Sequence, residues 1–111
     1  MAGIEDGGVI DLVTVDPATG EYAVIMTEMR PWGSVPEQPD QLIEKINTYA
    51  AFVLDEGFVS RFPDASGRKI RIQIDCSGPP DSATSEIIEM AAARLADYSI
   101  AVTVNQLNSP S

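Results

Sequence analysis

The sequence predicts an α+β fold, a two-layer α/β sandwich in which a four-stranded mixed sheet carries two helices on one face. Three observations predict it: a turn joining two strands near the N-terminus, an amphipathic strand at residues 69–76, and a helical stretch leading to a last strand at residues 99–104. The element order is then ββαβαβ, with the first strand antiparallel to the others. We expect a single α+β domain over residues 9–105, a flexible N-terminus at 1–8 and a flexible C-terminal tail at 106–111.

The strand at residues 69–76 alternates strictly between apolar and polar side chains, so its two faces differ in character. The apolar members are Ile70, Ile72, Ile74 and Cys76. Two right-handed crossovers that run in the same direction along a sheet place their helices on the same side, so both helices should pack on the isoleucine face. The exposed face should then carry Arg71, Gln73, Asp75, Thr103 and Asn105.

The first half of the chain predicts a hairpin, a loop and a helix. Strands at 9–15 and 21–29 flank a turn with Pro17 at its second position and Gly20 at its close. Three prolines and a glycine predict a loop over residues 30–39. Asp40 should cap a helix that ends near Gly57 and is followed by a short apolar turn. The buried stripe predicted for this helix comprises Leu42, Ile46, Tyr49, Ala50 and Val53.

The second helix should begin after Asp81, which is a good N-cap residue. Its predicted buried stripe comprises Ile87, Ile88, Ala91, Ala92, Leu95 and Tyr98. This stripe would complete the helix layer over the isoleucine face.

The charge balance of 7 basic against 17 acidic residues gives a net charge of −10. Phosphate backbones and anionic membrane surfaces repel such a chain, so we expect neither nucleic acid nor a membrane as a partner. The sequence holds no apolar run of membrane-spanning length, and its start lacks the pattern of a signal peptide. The single cysteine agrees with a reducing compartment, and we expect a cytoplasmic protein.

Four of the seven cations lie within residues 61–71, at Arg61, Arg68, Lys69 and Arg71. The simpler interpretation is a solvated loop and strand face surrounded by acidic residues. The alternative is a small anion-binding or partner-docking patch.

Residues 44–81 contain a Lys-Ile-Asn-x-Tyr helix, a glycine before a short apolar segment, Pro-Asp-x-x-Gly-Arg, and an amphipathic strand leading into Pro-Pro-Asp. On these features the chain resembles a family of small bacterial proteins catalogued only as a domain of unknown function. The resemblance extends over most of the chain, including the first strand pair. The resemblance implies no activity, cofactor or functional residue.

Catalytic constellations are scarce in this sequence. Because the chain has no histidine and one cysteine, it cannot form a Ser/His/Asp triad, a histidine-bearing zinc site or a redox pair of cysteines. Cys76 precedes a loop and a helix, as the nucleophile of cysteine phosphatases does. Those enzymes need backbone N–H donors in the loop and an arginine six positions after the cysteine. Here Pro79 and Pro80 lack the N–H groups, and Ser82 stands in place of the arginine. We expect a buried structural thiol, no catalytic residue, no metal site and no cofactor.

The carboxyl edge of the sheet is the remaining candidate for a ligand-binding site, since ligands of parallel α/β sheets bind there. The candidate residues are Glu28, Arg30, Trp32, Asp75 and Asn105. Glu28 and Asp75 on neighbouring strands could share a proton or a hard cation. The alternative is structural, with Glu28 paired to Arg30 and Trp32 covering the core.

Two functions from different classes remain. The favoured function is that of a non-enzymatic protein-interaction module. Its partner is either a second copy of the chain, which would make it a homodimer, or another protein. The alternative is a small ligand- or metal-binding protein or enzyme that uses Glu28, Arg30 and Asp75. Because strand two is apolar on both faces, self-association is expected on the side that the helices leave uncovered. Candidates for that side are Val13, Val15, Ala23, Ile25 and Met29.

Overall fold

The computed structural model describes residues 12–63 and 69–106 of the 111-residue chain. The strands in these ranges are β1 (Leu12–Val15), β2 (Tyr22–Glu28), β3 (Ile70–Cys76) and β4 (Ile100–Gln106). The helices are α1 (Gln38–Leu54), α2 (Glu56–Arg61) and α3 (Ser82–Ala96). None of these helices has the length and apolar character needed to cross a membrane. The segments at 1–8 and 107–111 that were predicted to be flexible lie outside the described residues, whereas Gln106 ends β4.

The sheet has the strand order β1-β2-β3-β4, with β1 antiparallel to β2 and the other neighbours parallel. In the parallel part, Tyr22 lies beside Ile70 and Ile70 beside Ile100. Each crossover therefore advances by one strand in the same direction, which is the arrangement that puts α1 and α3 on one face. The predicted α+β sandwich with a mixed four-stranded sheet is confirmed.

The core lies between the helices and the isoleucine face of the sheet. Ile72 and Ile74 are completely buried there, next to Leu42 and Tyr49 of α1 and Leu95 of α3. The polar residues that alternate with them are only partly buried on the opposite face. This separation of faces is what the alternating sequence of β3 predicts.

The short helix α2 extends the core beyond the end of α1. Phe58 is buried and packs edge to face against Phe52 and Tyr22, at ring-centroid distances of 5.2 Å and 6.2 Å. Phe62 follows the helix and contacts the same three-ring cluster through Tyr22 at 6.2 Å and through Phe58 at 5.2 Å. The apolar turn predicted at this position is therefore a helical turn that packs on the sheet through aromatic rings.

The predicted limits of α1 are wrong at both ends. The helix begins at Gln38, before Asp40, because Pro39 suits the first turn, where a missing N–H removes no hydrogen bond. It ends at Leu54, before Gly57, because Asp55 adopts an extended backbone with φ −76° and ψ 142°. The Asp55 side chain accepts a hydrogen bond from the Gly57 backbone at 2.7 Å and so caps α2.

Pairing of β1 with β2 corrects the prediction for the uncovered side of the hairpin. Val13 pairs with Val24 and Val15 with Tyr22, so both valines point toward the helix layer. By the same alternation, Ala23 and Ile25 lie on the opposite face. At the end of α3, Tyr98 is 59% exposed, so it lies outside the buried stripe that the sequence predicted to include it.

The turn between β1 and β2 forms as predicted. Gly20 has φ +74°, a left-handed conformation that glycine adopts without strain. Its N–H donates to the Asp16 carbonyl at 2.8 Å, and the Asp16 side chain accepts from Ala18 N–H at 2.8 Å.

A second left-handed residue, Ser99, connects α3 to β4. Its φ of +61° lies in the region that residues with a side chain avoid. The turn is held by hydrogen bonds from Tyr98 N–H to the Leu95 carbonyl at 2.9 Å and from Ser99 N–H to the Ala96 carbonyl at 3.0 Å. Glycine is the residue that most often occupies this position after a helix.

We therefore expect Ser99→Gly to stabilise the protein. Removing the Cβ should raise the free energy of unfolding by roughly 0.5–1 kcal/mol, after the larger unfolded-state entropy of glycine is subtracted. Urea denaturation measures the change. Ser99→Ala, which removes the hydroxyl but keeps the Cβ, is the matched control and should show no gain; a loss of stability in Ser99→Gly would contradict the prediction.

Candidate functional site

The carboxyl ends of β2, β3 and β4 meet at one edge of the sheet, but the candidate residues there divide between two faces. Glu28 pairs with Cys76, which belongs to the helix-covered face. Asp75 pairs with Thr27 and Asn105 on the open face. Because alternate residues of a strand point to opposite sides, the structure does not bring Glu28 and Asp75 together as a carboxylate pair.

Glu28 is the centre of a buried ion-pair network and is 2% exposed. Arg30 donates from Nε and Nη2 to the carboxylate, with the Nη2–Oε2 distance 2.7 Å, and its backbone N–H donates to Oε1 at 2.9 Å. Gln38 Nε2 donates to Oε2 at 3.0 Å. Arg30 Nη2 in turn donates to Gln41 Oε1 at 2.7 Å, so both carboxylate oxygens and the guanidinium are engaged within the protein.

The loop between β2 and α1 is shaped by this network. Gly33 has φ +84°, and its N–H donates to Gln38 Oε1 at 2.7 Å, so one glutamine side chain binds the loop and the buried carboxylate together. Trp32 Nε1 donates to the Gly78 carbonyl at 3.2 Å and thereby attaches this loop to the one that follows β3. Trp32 also packs against the core, as the structural alternative for this residue predicted.

The surroundings of Glu28 and Cys76 shift the pKa values of these two groups in opposite directions. Burial opposes ionisation of Glu28, but the hydrogen bonds from Arg30 and Gln38 outweigh it and hold the pKa of the carboxyl below its ordinary value. Burial raises the pKa of the Cys76 thiol, whose Sγ lies 3.2 Å from the Gly78 carbonyl. Glu28 is therefore a fixed carboxylate, and Cys76 is the buried neutral thiol that the sequence predicted.

Asp75 and Asn105 belong to a row of polar side chains across the open face. Asp75 Oδ1 accepts from Gln73 Nε2 at 2.7 Å and from Asn105 Nδ2 at 3.1 Å. Arg71 Nε donates to Gln73 Oε1 at 3.1 Å, and the Arg71 guanidinium pairs with Glu21. These hydrogen bonds link the side chains along the row, and the described residues contain no group of three or more cysteine, aspartate or glutamate side chains placed to hold a metal ion.

Two members of the basic cluster at residues 61–71 have partners among the described residues. Arg71 is paired with Glu21 on the open face, while Arg61 lies 5.7 Å from the ring of Phe62 after α2. Lys69 is exposed, and Arg68 lies outside the described residues.

Sequence reasoning missed an apolar groove between α1 and α3. It encloses about 600 Å³ and is lined by Ile43, Ile46, Asn47, Ile87, Met90, Ala91, Ala93 and Arg94. Met90 is 74% exposed and Ile43 is 43% exposed at its sides. One feature of the sequence could have indicated the groove, because Ile43 and Met90 are apolar residues that lie outside the predicted buried stripes of their helices. Gln38 and Gln41 were also missed, since nothing in the sequence links a glutamine to a distant glutamate.

Comparison with known proteins gives a family and no activity. The family model described as "Family of unknown function (DUF6572)" matches residues 2–108. No curated protein and no solved structure matches the chain.

The Glu28 network generates a stability prediction. Glu28→Gln should lower the free energy of unfolding at pH 7 by about 1–3 kcal/mol, because it removes charged hydrogen bonds in a buried place. The folded pKa of Glu28 lies below its ordinary value of 4.5, so the stabilisation is complete above about pH 4.5 and is lost as the pH falls through the folded pKa. The gap between wild type and variant should therefore shrink below pH 4.5, as followed by urea denaturation.

Asp75→Asn is the matched control for that experiment, because it also removes one carboxylate at the end of a strand. Its partners lie on the open face, so we expect a cost of only about 0–1 kcal/mol. Equal losses in both variants, or a gap for Glu28→Gln that is independent of pH, would contradict a buried ion-pair network.

The location of Glu28 and Asp75 on opposite faces of the sheet gives a further prediction. Glu28 and Asp75 share no hydrogen-bond partner, so the effects of Glu28→Gln and Asp75→Asn should add within about 0.5 kcal/mol in the double variant. Adding Mg²⁺ or Ca²⁺ should shift the melting temperatures of wild type, the two single variants and the double variant by the same amount. A coupling above about 1 kcal/mol, or a cation effect that Asp75→Asn abolishes, would restore the shared-carboxylate hypothesis.

Proposed function

The chain belongs to this family of unknown function over residues 2–108, and we propose that it is a non-enzymatic protein-interaction module whose α1–α3 groove receives an apolar, positively charged segment of a partner protein. The observation that carries the proposal is the groove itself. Exposed apolar side chains on two facing helices form a continuous strip, which is the usual mark of a site for another protein segment.

The groove has a buried floor and exposed sides. Ile46 and Ala91 form the floor and belong to the core, so the groove is backed by tightly packed side chains. Ile43 and Met90 stand at the sides and lose the most exposed apolar area when a segment lies between them. Arg94 Nη2 donates to Asn47 Oδ1 at 2.9 Å and joins the two helices at this point.

The charges around the groove select the chemistry of the partner. Helical spacing places Asp40 and Glu44 of α1, and Glu86 of α3 with Asp97 at its end, just outside the apolar strip, and all four are exposed. The one cation in the lining, Arg94, is hydrogen-bonded to Asn47. This acidic rim favours a segment with lysine or arginine beside its apolar side chains, and it disfavours the same face of a second copy.

The alternative of a ligand-binding site or enzyme at the carboxyl edge has less support. Glu28 and Arg30 engage each other and two glutamines, so neither is available to a ligand without breaking that network. A cytoplasmic location remains part of the proposal, supported by a buried reduced thiol as the only cysteine.

A synthetic peptide tests the groove. The probe is a short amphipathic helix of leucine and lysine at helical spacing, titrated into ¹⁵N-labelled protein. We expect amide shifts to concentrate along α1 and α3, and Ile43→Glu or Met90→Glu to weaken binding by roughly tenfold, which corresponds to about 1.4 kcal/mol.

Two controls distinguish peptide binding in the groove from non-specific attraction of a basic peptide to an acidic protein. Val59→Glu adds the same charge at a side chain that is 42% exposed, against 43% for Ile43, but lies outside the groove lining. It should bind the peptide as wild type does, and a scrambled peptide of the same composition should bind weakly. Equal binding by Ile43→Glu and Val59→Glu, or shifts that avoid α1 and α3, would refute the proposed site.

A further inference from the structure

We propose that two copies of this chain associate by pairing their β4 strands antiparallel across a two-fold axis, so that the two sheets become continuous. This surface lies on a different part of the molecule from the α1–α3 groove, and the proposal stands independently of it. The sequence led us to expect self-association on the uncovered side of strand two, whereas the present proposal uses an edge of the sheet, and β2 is an interior strand. The described sheet ends at β1 on one side and at β4 on the other, and β4 is the longer edge strand, with seven residues against four.

The outer edge of β4 is open among the described residues. The strand order places β4 at the end of the sheet, with β3 on one side and no described strand on the other. Its seven residues, Ile100–Gln106, include no charged residue and no proline. Monomeric proteins usually protect such an edge with lysine, proline or an inward-pointing charge, and β4 has none of these.

The side chains of β4 are incompletely covered on the helix side. Val102 and Val104 pack against the core yet remain half-exposed, whereas Ile72 and Ile74 on the neighbouring strand are fully buried. If the axis passes near the middle residue, Thr103, then Val102 of one copy lies opposite Val104 of the other. Cross-strand contact between these valines covers the apolar surface that α3 leaves open.

The uncharged strand avoids local repulsion between two copies. Most approaches between two chains of net charge −10 bring carboxylates together, but β4 itself contains none. A two-fold axis makes the edge self-complementary, because each backbone donor on one copy meets an acceptor on the other. At physiological salt the Debye length is about 8 Å, which screens repulsion between the more distant charges.

A charge-swap experiment tests the pairing. Thr103 lies on the open face, so a charged side chain there reaches solvent without entering the core. In sedimentation velocity at physiological salt and high micromolar concentration, we expect wild type at twice the chain mass of 11.9 kDa. Thr103→Lys and Thr103→Glu place like charges across the axis, so each alone should sediment at the single-chain mass, and an equimolar mixture of the two should recover the dimer.

Thr27→Lys is the matched control, since Thr27 lies on the same face but on the interior strand β2. It should remain dimeric. Far-UV circular dichroism checks that each variant is folded, and the double variant Ala101→Lys/Asn105→Lys, whose two exposed positions lie opposite each other across the axis, replaces any Thr103 variant that is not. A wild-type protein at the single-chain mass, or a dimer that survives Thr103→Lys, would overturn the proposal.

Discussion

The one-sided apolar pattern of β3 is the constraint on which the rest of the structure depends. Ile72 and Ile74 need complete burial, while Arg71 and Asp75 on the same strand would lose solvation that only specific partners can replace. A helix on each face of the sheet would bury that arginine and aspartate. Both crossovers therefore return over the isoleucines, and the opposite face is left to a row of mutually hydrogen-bonded polar groups.

The buried ion pair gives the carboxyl edge a structural role. A carboxylate held below its ordinary pKa by a guanidinium and an amide is well suited to fixing a loop, and Gln38 transmits that order from Glu28 to Gly33. Because desolvation of both charges offsets their attraction, such a pair is weak evidence for net stability, and its observed role here is to hold the loop in place. The edge that parallel sheets commonly use for ligands is here the place where the loop after β2 is fastened to the loop after β3.

The sequence was sufficient for the fold because local patterns determine it: alternation fixes the faces of β3, and two crossovers in one direction fix the helix layer. It was insufficient for the candidate site because β2 is apolar on both faces. The side on which Glu28 lies follows only from its pairing with Cys76, which no local pattern reveals. The partnership of Gln38 with Glu28 depends on the left-handed turn at Gly33, and the groove depends on how α1 and α3 pack against each other.

The order of strands in the sheet repeats their order in the chain, and this has a consequence for how the protein is made. Each strand that leaves the ribosome finds its neighbour already synthesised, so the sheet can grow from one side by successive additions. The parallel pairings nevertheless join residues far apart in the sequence, such as Tyr22 with Ile70 and Ile70 with Ile100, and closing these long crossovers slows folding. Among the described strands β4 emerges after the others, so the β3 edge stays open until Ile100–Gln106 has been synthesised, and a product truncated before Ile100 would keep Ile70–Cys76 as a bare, aggregation-prone edge.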